Sequence, residues 1–213
     1  MEWFEDPIRR GIQREENQKE DKLSLPPWFV FTGGPCSGKS TTLSAINQST
    51  LLNVIPELAA KFINNERRKL ANGELGPRDP ETFSRKLLQL RVDLEAKLPR
   101  NITFVFDRGL PDSLGYYRLC GQSEADFEGL ELRRRYRQVF FFEPTPWEYD
   151  GVRNEFDYVN REFIHNSLRA TYESLDYDII DVPVMPVEER VQFVLQNISC
   201  LMTSDERLQY RTL

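Results

Sequence analysis

Apolar residues in this chain fall into short solid runs, separated by longer stretches where they recur every three or four positions. Trp28–Thr32 reads WFVFT, Leu52–Pro56 LNVIP, Ile102–Phe106 ITFVF, Val139–Glu143 VFFFE and Asp178–Val182 DIIDV. Runs this short with little polar alternation suit strands covered on both faces, as in parallel sheets. The helical stretches lie between them. Lys39–Asn47 follows the first strand directly, and Glu57–Asn72 carries Leu58, Phe62, Ile63 and Leu70 at helical spacing. Glu81–Leu98, Asn154–Leu175 and Pro186–Met202 are longer apolar stripes of the same period. Strand–helix alternation predicts an α/β domain of three layers around a five-stranded, mostly parallel sheet.

Residues 1–25 do not share this pattern. GIQREENQKEDK, from Gly11 to Lys22, has one large apolar residue among mixed charges and cannot bury enough surface to offset its ordering entropy. Pro26-Pro27 closes this leader, so the expected division is a charged, mobile leader over 1–25 and one domain over 26–213. A second reading makes the leader an arm for a protein partner, with Trp3, Phe4 and Ile8 as its apolar knob. The chain has 213 residues and a net charge of −6, which argues against a nucleic-acid partner, since phosphate backbones are held by basic surface. It leaves room for a small phosphorylated ligand held by a few local cations. No apolar run reaches the ~20 residues of a membrane span. The start, MEWFEDPIRR, lacks the apolar stretch of a secretion signal, and the 3 cysteines match neither a zinc pattern nor a disulfide framework. A cytoplasmic location is expected.

The chemistry concentrates between the first strand and the first helix. Gly33-Gly34-Pro35-Cys36-Ser37-Gly38-Lys39-Ser40 matches G-x-x-x-x-G-K-[ST], the phosphate-binding P-loop, in its proper strand–loop–helix setting. Such a loop wraps a triphosphate with backbone N–H groups, so glycines keep side chains out of the cradle and the helix dipole adds positive potential. Lys39 is expected on the outer phosphates, the Ser40 hydroxyl on Mg²⁺, and Thr41 near the inner phosphate. Cys36 reads as a plain loop residue. Asp107 ends the ITFVFD run at the sheet edge where open α/β sheets bind ligands, and is expected to hold the hydrated Mg²⁺. Arg108 has two open readings, a phosphate clamp or a structural ion pair. Glu57 likewise has two: a base that orients an acceptor hydroxyl, or an acid at a helix start. Asp112 reads as a helix cap and His165 as a packing or surface residue. Of the available arginines, Arg153 is the expected lid cation, because it follows the fourth strand at its carboxyl end. The Arg133–Arg137 cluster reads as a solvated helix face.

FTGGPCSGKSTTL, VIPELA, FVFDRGLPDSLGYYRL, YRQVFFFEP, the D-x-x-R of Asp150–Arg153 and VPVMPVEERVQFVL together resemble the AAA_28-type family of P-loop ATPases. That family is similar to nucleoside and nucleotide kinases and to the ribosylnicotinamide-kinase portion of NAD-biosynthesis regulators. The resemblance covers roughly residues 28–199 and implies a kinase-like P-loop fold. It implies that Lys39 and Ser40 bind phosphates and Mg²⁺, that Asp107 is the Walker B acid, that Arg153 belongs to a lid and that Glu57 meets the acceptor. It also puts Val182 and Pro183 near the nucleotide base. Two functions are open: a Mg²⁺- and ATP-dependent phosphotransferase acting on a small nucleoside- or nucleotide-like acceptor, or a nucleotide-dependent regulatory switch with slow hydrolysis. With no N/T-K-x-D guanine-reading motif, ATP is preferred and GTP is the alternative.

Overall fold

The structure, a computed structural model, describes residues 19–59, 62, 80–146 and 160–208. Trp3, Phe4 and Ile8 of the leader, most of the expected 57–72 helix, and Arg153 lie outside the described residues. Five strands, β1 (Trp28–Thr32), β2 (Asn53–Ile55), β3 (Phe104–Asp107), β4 (Gln138–Phe142) and β5 (Ile179–Val182), form one sheet in the order β2-β3-β1-β4-β5. Every neighbouring pair is parallel. The chain thus runs to one side of β1 for β2 and β3 and to the other for β4 and β5. The carboxyl end of β1 sits at that reversal, where open sheets form their ligand crevice.

Helices α1 (Lys39–Ser49), α2 (Pro80–Lys97), α3 (Leu110–Leu119), α4 (Arg161–Ser174), α5 (Val187–Cys200) and α6 (Ser204–Leu208) surround the sheet. Alternate residues of β1 face opposite layers. Phe29 and Phe31 pack with Leu43 and Ile46 of α1 and Val194 and Ile198 of α5. Trp28 and Val30 pack with Tyr136 and with Tyr172 of α4 on the other face. β1 and β4 are therefore buried along their whole length, which is why they read as solid apolar runs. Helix α3 escaped the apolar pattern because LPDSLGYYRL contains Pro111 and Gly115. Pro111 falls in the first turn, where its missing N–H costs nothing. A Cβ at Gly115 would stand 2.8 Å from Leu168, so its absence lets α4 lie close.

Residues 19–25 are held against the amino end of the sheet. Lys22 donates to Gln138 Oε1 at 2.6 Å and pairs with Asp178, and Arg134 pairs with Asp21. Arg137 is buried and donates to the carbonyls of Leu23, Leu25 and Leu201 and to the Glu206 carboxylate. The 133–137 segment is therefore no helix face. It is a turn, with Arg134 at φ 52°, that delivers Arg137 inward to clasp both ends of the described chain.

Removing that clasp leaves a carboxylate and three carbonyls short of their donor. Arg137→Met is expected to lower stability by roughly 2–4 kcal/mol and to open residues 19–25 to proteolysis. Arg134→Met, at an exposed pair, should stay within about 0.5 kcal/mol of the parent. Denaturant melts and limited proteolysis of the two variants check the contrast.

Candidate functional site

β1 delivers the chain into the Gly33–Gly38 loop, and α1 starts at Lys39 with Gly38 as its cap at φ 80°. Gly33 has φ 121°, and a Cβ there would stand 2.5 Å from the Phe142 carbonyl oxygen. Only glycine lets the loop pass the end of β4 in this conformation. The Cys36 carbonyl accepts from the Thr145 amide at 3.3 Å, which pins the crown of the loop to the segment after β4. Lys39 folds back into the loop. Its ammonium donates to the Gly33 carbonyl at 3.1 Å, the Gly34 carbonyl at 2.6 Å and Ser37 Oγ at 2.8 Å. Burial, and next the Arg108 charge, lower the Lys39 ammonium to about 7, against the pull of Asp107, Glu57 and Asp112.

Two carboxylates face this loop. Asp107, at the tip of β3, accepts from Ser40 Oγ at 2.8 Å through Oδ2. Its Oδ1 is buried with no hydrogen-bond partner. Burial raises the Asp107 carboxyl above its ordinary value, and the Glu57 charge adds to this. Paired hard oxygens with a spare lone-pair face suit a hydrated Mg²⁺. Among the described residues no three of His, Cys, Asp and Glu cluster as a metal centre. Glu57 follows β2 and is half-buried. Burial raises its carboxyl, but Arg108, Lys39 and Arg91 overcome this and hold it below the ordinary value.

Arg108 joins the pieces. Its Nε donates to Glu57 Oε1 at 3.0 Å, and its Nη1 to Asp112 Oδ1 at 3.0 Å and to the Gly33 carbonyl at 3.3 Å. Arg108 is thus a buried ion pair, the second of its two readings, and it also abuts the loop. Asp112 also accepts from Thr32 Oγ1 at 2.7 Å, from the Gly109 amide at 2.9 Å and from Tyr172 at 2.7 Å. It caps α3, as expected, and faces inward. Arg108 and Cys36 adopt positive φ, 70° and 58°, without being glycine. Such strain, about 1–3 kcal/mol per residue, persists only where surrounding contacts impose it.

Other expected residues sit at the same sheet edge. Pro35 is half-buried in the loop and Thr41 is exposed in the first turn of α1. Val182 ends β5 within the core, and Pro183 is exposed at the start of the following loop. Two contacts were not legible from the chain. His165 of α4 accepts from the Gly34 amide at 3.2 Å through Nδ1. Arg190, in the first turn of α5, is buried beneath the loop turn and donates to the Ser37 carbonyl at 3.4 Å. A lone histidine in a helix and an arginine in a charged first turn carry no sequence signal for such distant partners.

Accepting at Nδ1 requires neutral His165. Burial lowers its pKa from the ordinary 6.5, Arg169 and Lys39 add to this, and Glu143 and Asp181 oppose it. As pH falls, the unfolded chain takes up the proton first. The contribution of His165 is complete above 6.5 and is lost as pH drops from there through the lower folded value. The wild-type melting temperature should therefore fall between about pH 7 and about pH 5. His165→Asn, which keeps an acceptor but does not titrate, should show a flatter profile over that range. Calorimetric melts of both proteins across that range check this.

No curated protein sequence matches this chain. Among solved structures it is similar to the deoxyadenosine kinase of M. mycoides, with 13% identity, coverage of 81% of this chain and 98% of that one, and a TM-score of 0.53. It is also similar to the NadR protein in complex with NR, with 17% identity, 90% of this chain covered and a TM-score of 0.56, although only 59% of the NadR chain is spanned. At these identities the likeness establishes the fold, that of the P-loop kinases. A family model described as an AAA domain, AAA_28, matches residues 28–190 and takes in the loop, both carboxylates and Arg108. This chain belongs to the AAA_28 family.

Proposed function

We propose that this protein is a Mg²⁺- and ATP-dependent phosphotransferase acting on a small nucleoside- or nucleotide-like hydroxyl or phosphate acceptor. The observation that carries this reading is the Glu57–Arg108–Gly33 connection. One buried guanidinium ties an ionised carboxylate to the carbonyl of the phosphate loop. A carboxylate held fixed beside the phosphate loop suits a kinase, which must orient or deprotonate its acceptor, more than a switch that hydrolyses slowly.

Each residue then has a task. The Gly33–Gly38 amides and Lys39 bind the phosphate chain, and the ammonium leaves its own loop's carbonyls for phosphate oxygens. Ser40 and the unpartnered Oδ1 of Asp107 would hold Mg²⁺. An ion held there would supply positive charge against the phosphates. Glu57 accepts a hydrogen bond from the acceptor group, and Arg108 keeps the carboxylate aimed and ionised. Pro183 and its loop border the base. Arg153 supplies a closing cation, a role that rests on the sequence pattern. Cys36, Cys120 and Cys200 form no disulfide among the described residues, which suits a reducing cytoplasm.

The test is ATP turnover across a panel of nucleosides and nucleoside monophosphates. At least one acceptor should accelerate turnover well above basal hydrolysis. Glu57→Gln should lower that accelerated rate by about 10²- to 10⁴-fold while leaving Mg·ATP affinity in place. Lys39→Ala should weaken Mg·ATP binding by about 10- to 100-fold, the worth of a charge-assisted hydrogen bond. Slow basal hydrolysis that no acceptor stimulates would favour the switch.

A further inference from the structure

Arg190 presents an electrostatic imbalance that the assignments above leave unused. The residue is only 6% exposed. Its Nη2 donates to the Met185 carbonyl at 2.8 Å, its Nη1 lies 3.4 Å from the Ser37 carbonyl, and its Nε is buried with no partner. No carboxylate among the described residues pairs with it, and burial alone lowers its guanidinium from the ordinary value. The other deeply buried arginines of the described chain differ. Arg108 has Glu57 and Asp112, and Arg137 has Glu206. Arg91 rests on Ser113, with Glu57 within its electrostatic reach. Burying a cation without an anion is costly, and a chain that keeps one in place implies an anion that the described residues do not supply.

The position says which anion. A Cβ built on Gly38 would stand 1.8 Å from Arg190 Nη1, so the guanidinium rests against the turn that caps α1. That turn carries the backbone amides and the positive helix end to which phosphate is drawn. Met185, the second neighbour, lies in the loop between β5 and α5. Gly38 and Arg190 therefore constrain each other. Any side chain at Gly38 would displace the guanidinium from the loop, independently of the φ of 80° that already favours glycine there.

We infer that Arg190 is a nucleotide-binding residue, a helix-borne cation that engages the phosphate chain of the bound nucleoside triphosphate where it crosses the amino end of α1. This rests on the nucleotide reading above and extends it to a residue outside the loop motif. The partnerless Nε and the weakly engaged Nη1 are the donors released to the phosphate oxygens. The Met185 carbonyl remains the anchor that aims the guanidinium.

The experiment measures two quantities on the full chain: binding of Mg·ATP, Mg·GTP and Mg-tripolyphosphate, and the melting temperature without ligand. Arg190→Met keeps length and loses charge, whereas Arg190→Lys keeps charge. Arg190→Met should bind all three probes about 10- to 100-fold more weakly, Arg190→Lys should retain more affinity, and the ligand-free melting temperature of Arg190→Met should be unchanged or higher. Opposite directions for binding and stability mark a charge kept for a ligand. Unchanged affinity in Arg190→Met overturns the inference, and so does a loss confined to ATP, which would place the contact on the base. A lower ligand-free melting temperature, or failure of Arg190→Met to fold, would make the residue a structural latch and also overturn it. If the wild-type protein binds none of the three probes, the nucleotide reading itself fails and this inference falls with it. Wild-type binding with an indifferent Arg190→Met removes only the inference.

Discussion

The site is assembled around the Arg108 guanidinium. It follows the tip of β3 and is buried, and its backbone amide donates to the Phe31 carbonyl of β1 at 3.0 Å. Its side chain reaches Glu57 two residues beyond β2, the loop after β1 and the first turn of α3. Through Asp112 the same network extends to Thr32 and to Tyr172 of α4. Buried ion pairs add little net stability, because desolvation offsets most of their attraction. What they supply is geometry: each partner left alone would be a buried charge, so the elements close in one arrangement. The positive φ of Arg108 is tolerable because so many contacts fix it.

The phosphate loop is built on the complementary principle. In the proposed reading its cations are placed before their anion arrives. Lys39 is satisfied by carbonyls and a hydroxyl, and Arg190 by carbonyls alone, with no carboxylate in hydrogen-bond contact with either among the described residues. Carbonyls stabilise an ammonium or guanidinium less than phosphate does, so both groups gain when phosphate enters. This local preference coexists with a net charge of −6 for the chain. The carboxylates that do face the loop, Asp107 and Glu57, come from the β3 and β2 side, where the proposed function puts a metal ion and a hydroxyl.

Much of this was legible in the chain. All five strands lie where the apolar runs predicted, within one or two residues; β1, β3 and β4 are buried on both faces and leave no gap in the apolar run, while the edge strands β2 and β5 keep an exposed Asn53 and Asp181. The Gly33–Ser40 spacing and the acid closing the ITFVFD run identified the loop and Asp107, since both are local signals. What escaped depends on contacts between distant residues. That Arg108 pairs with an acid could not be read until β2 was seen beside β3. His165 meets its partner 131 positions away. The 133–137 arginines looked like a solvated face because adjacent cations usually are, yet a turn at Arg134 sends Arg137 inward. Arg190 in PVEER resembles any charged helix start until Gly38 is found against it.

The central claim, that the loop between β1 and α1 closes on a nucleotide's phosphates and draws Lys39 out of its own carbonyls, is tested most directly by amide resonances. The measurement is a titration of ¹⁵N-labelled protein with Mg·ATP. The account predicts saturable shifts of the amides from Gly34 and Cys36 through Thr41, with those of Lys22 and Arg137 at the opposite sheet edge unmoved. Loop amides that stay in place while ATP is in excess, or shifts confined to the opposite edge, would contradict it.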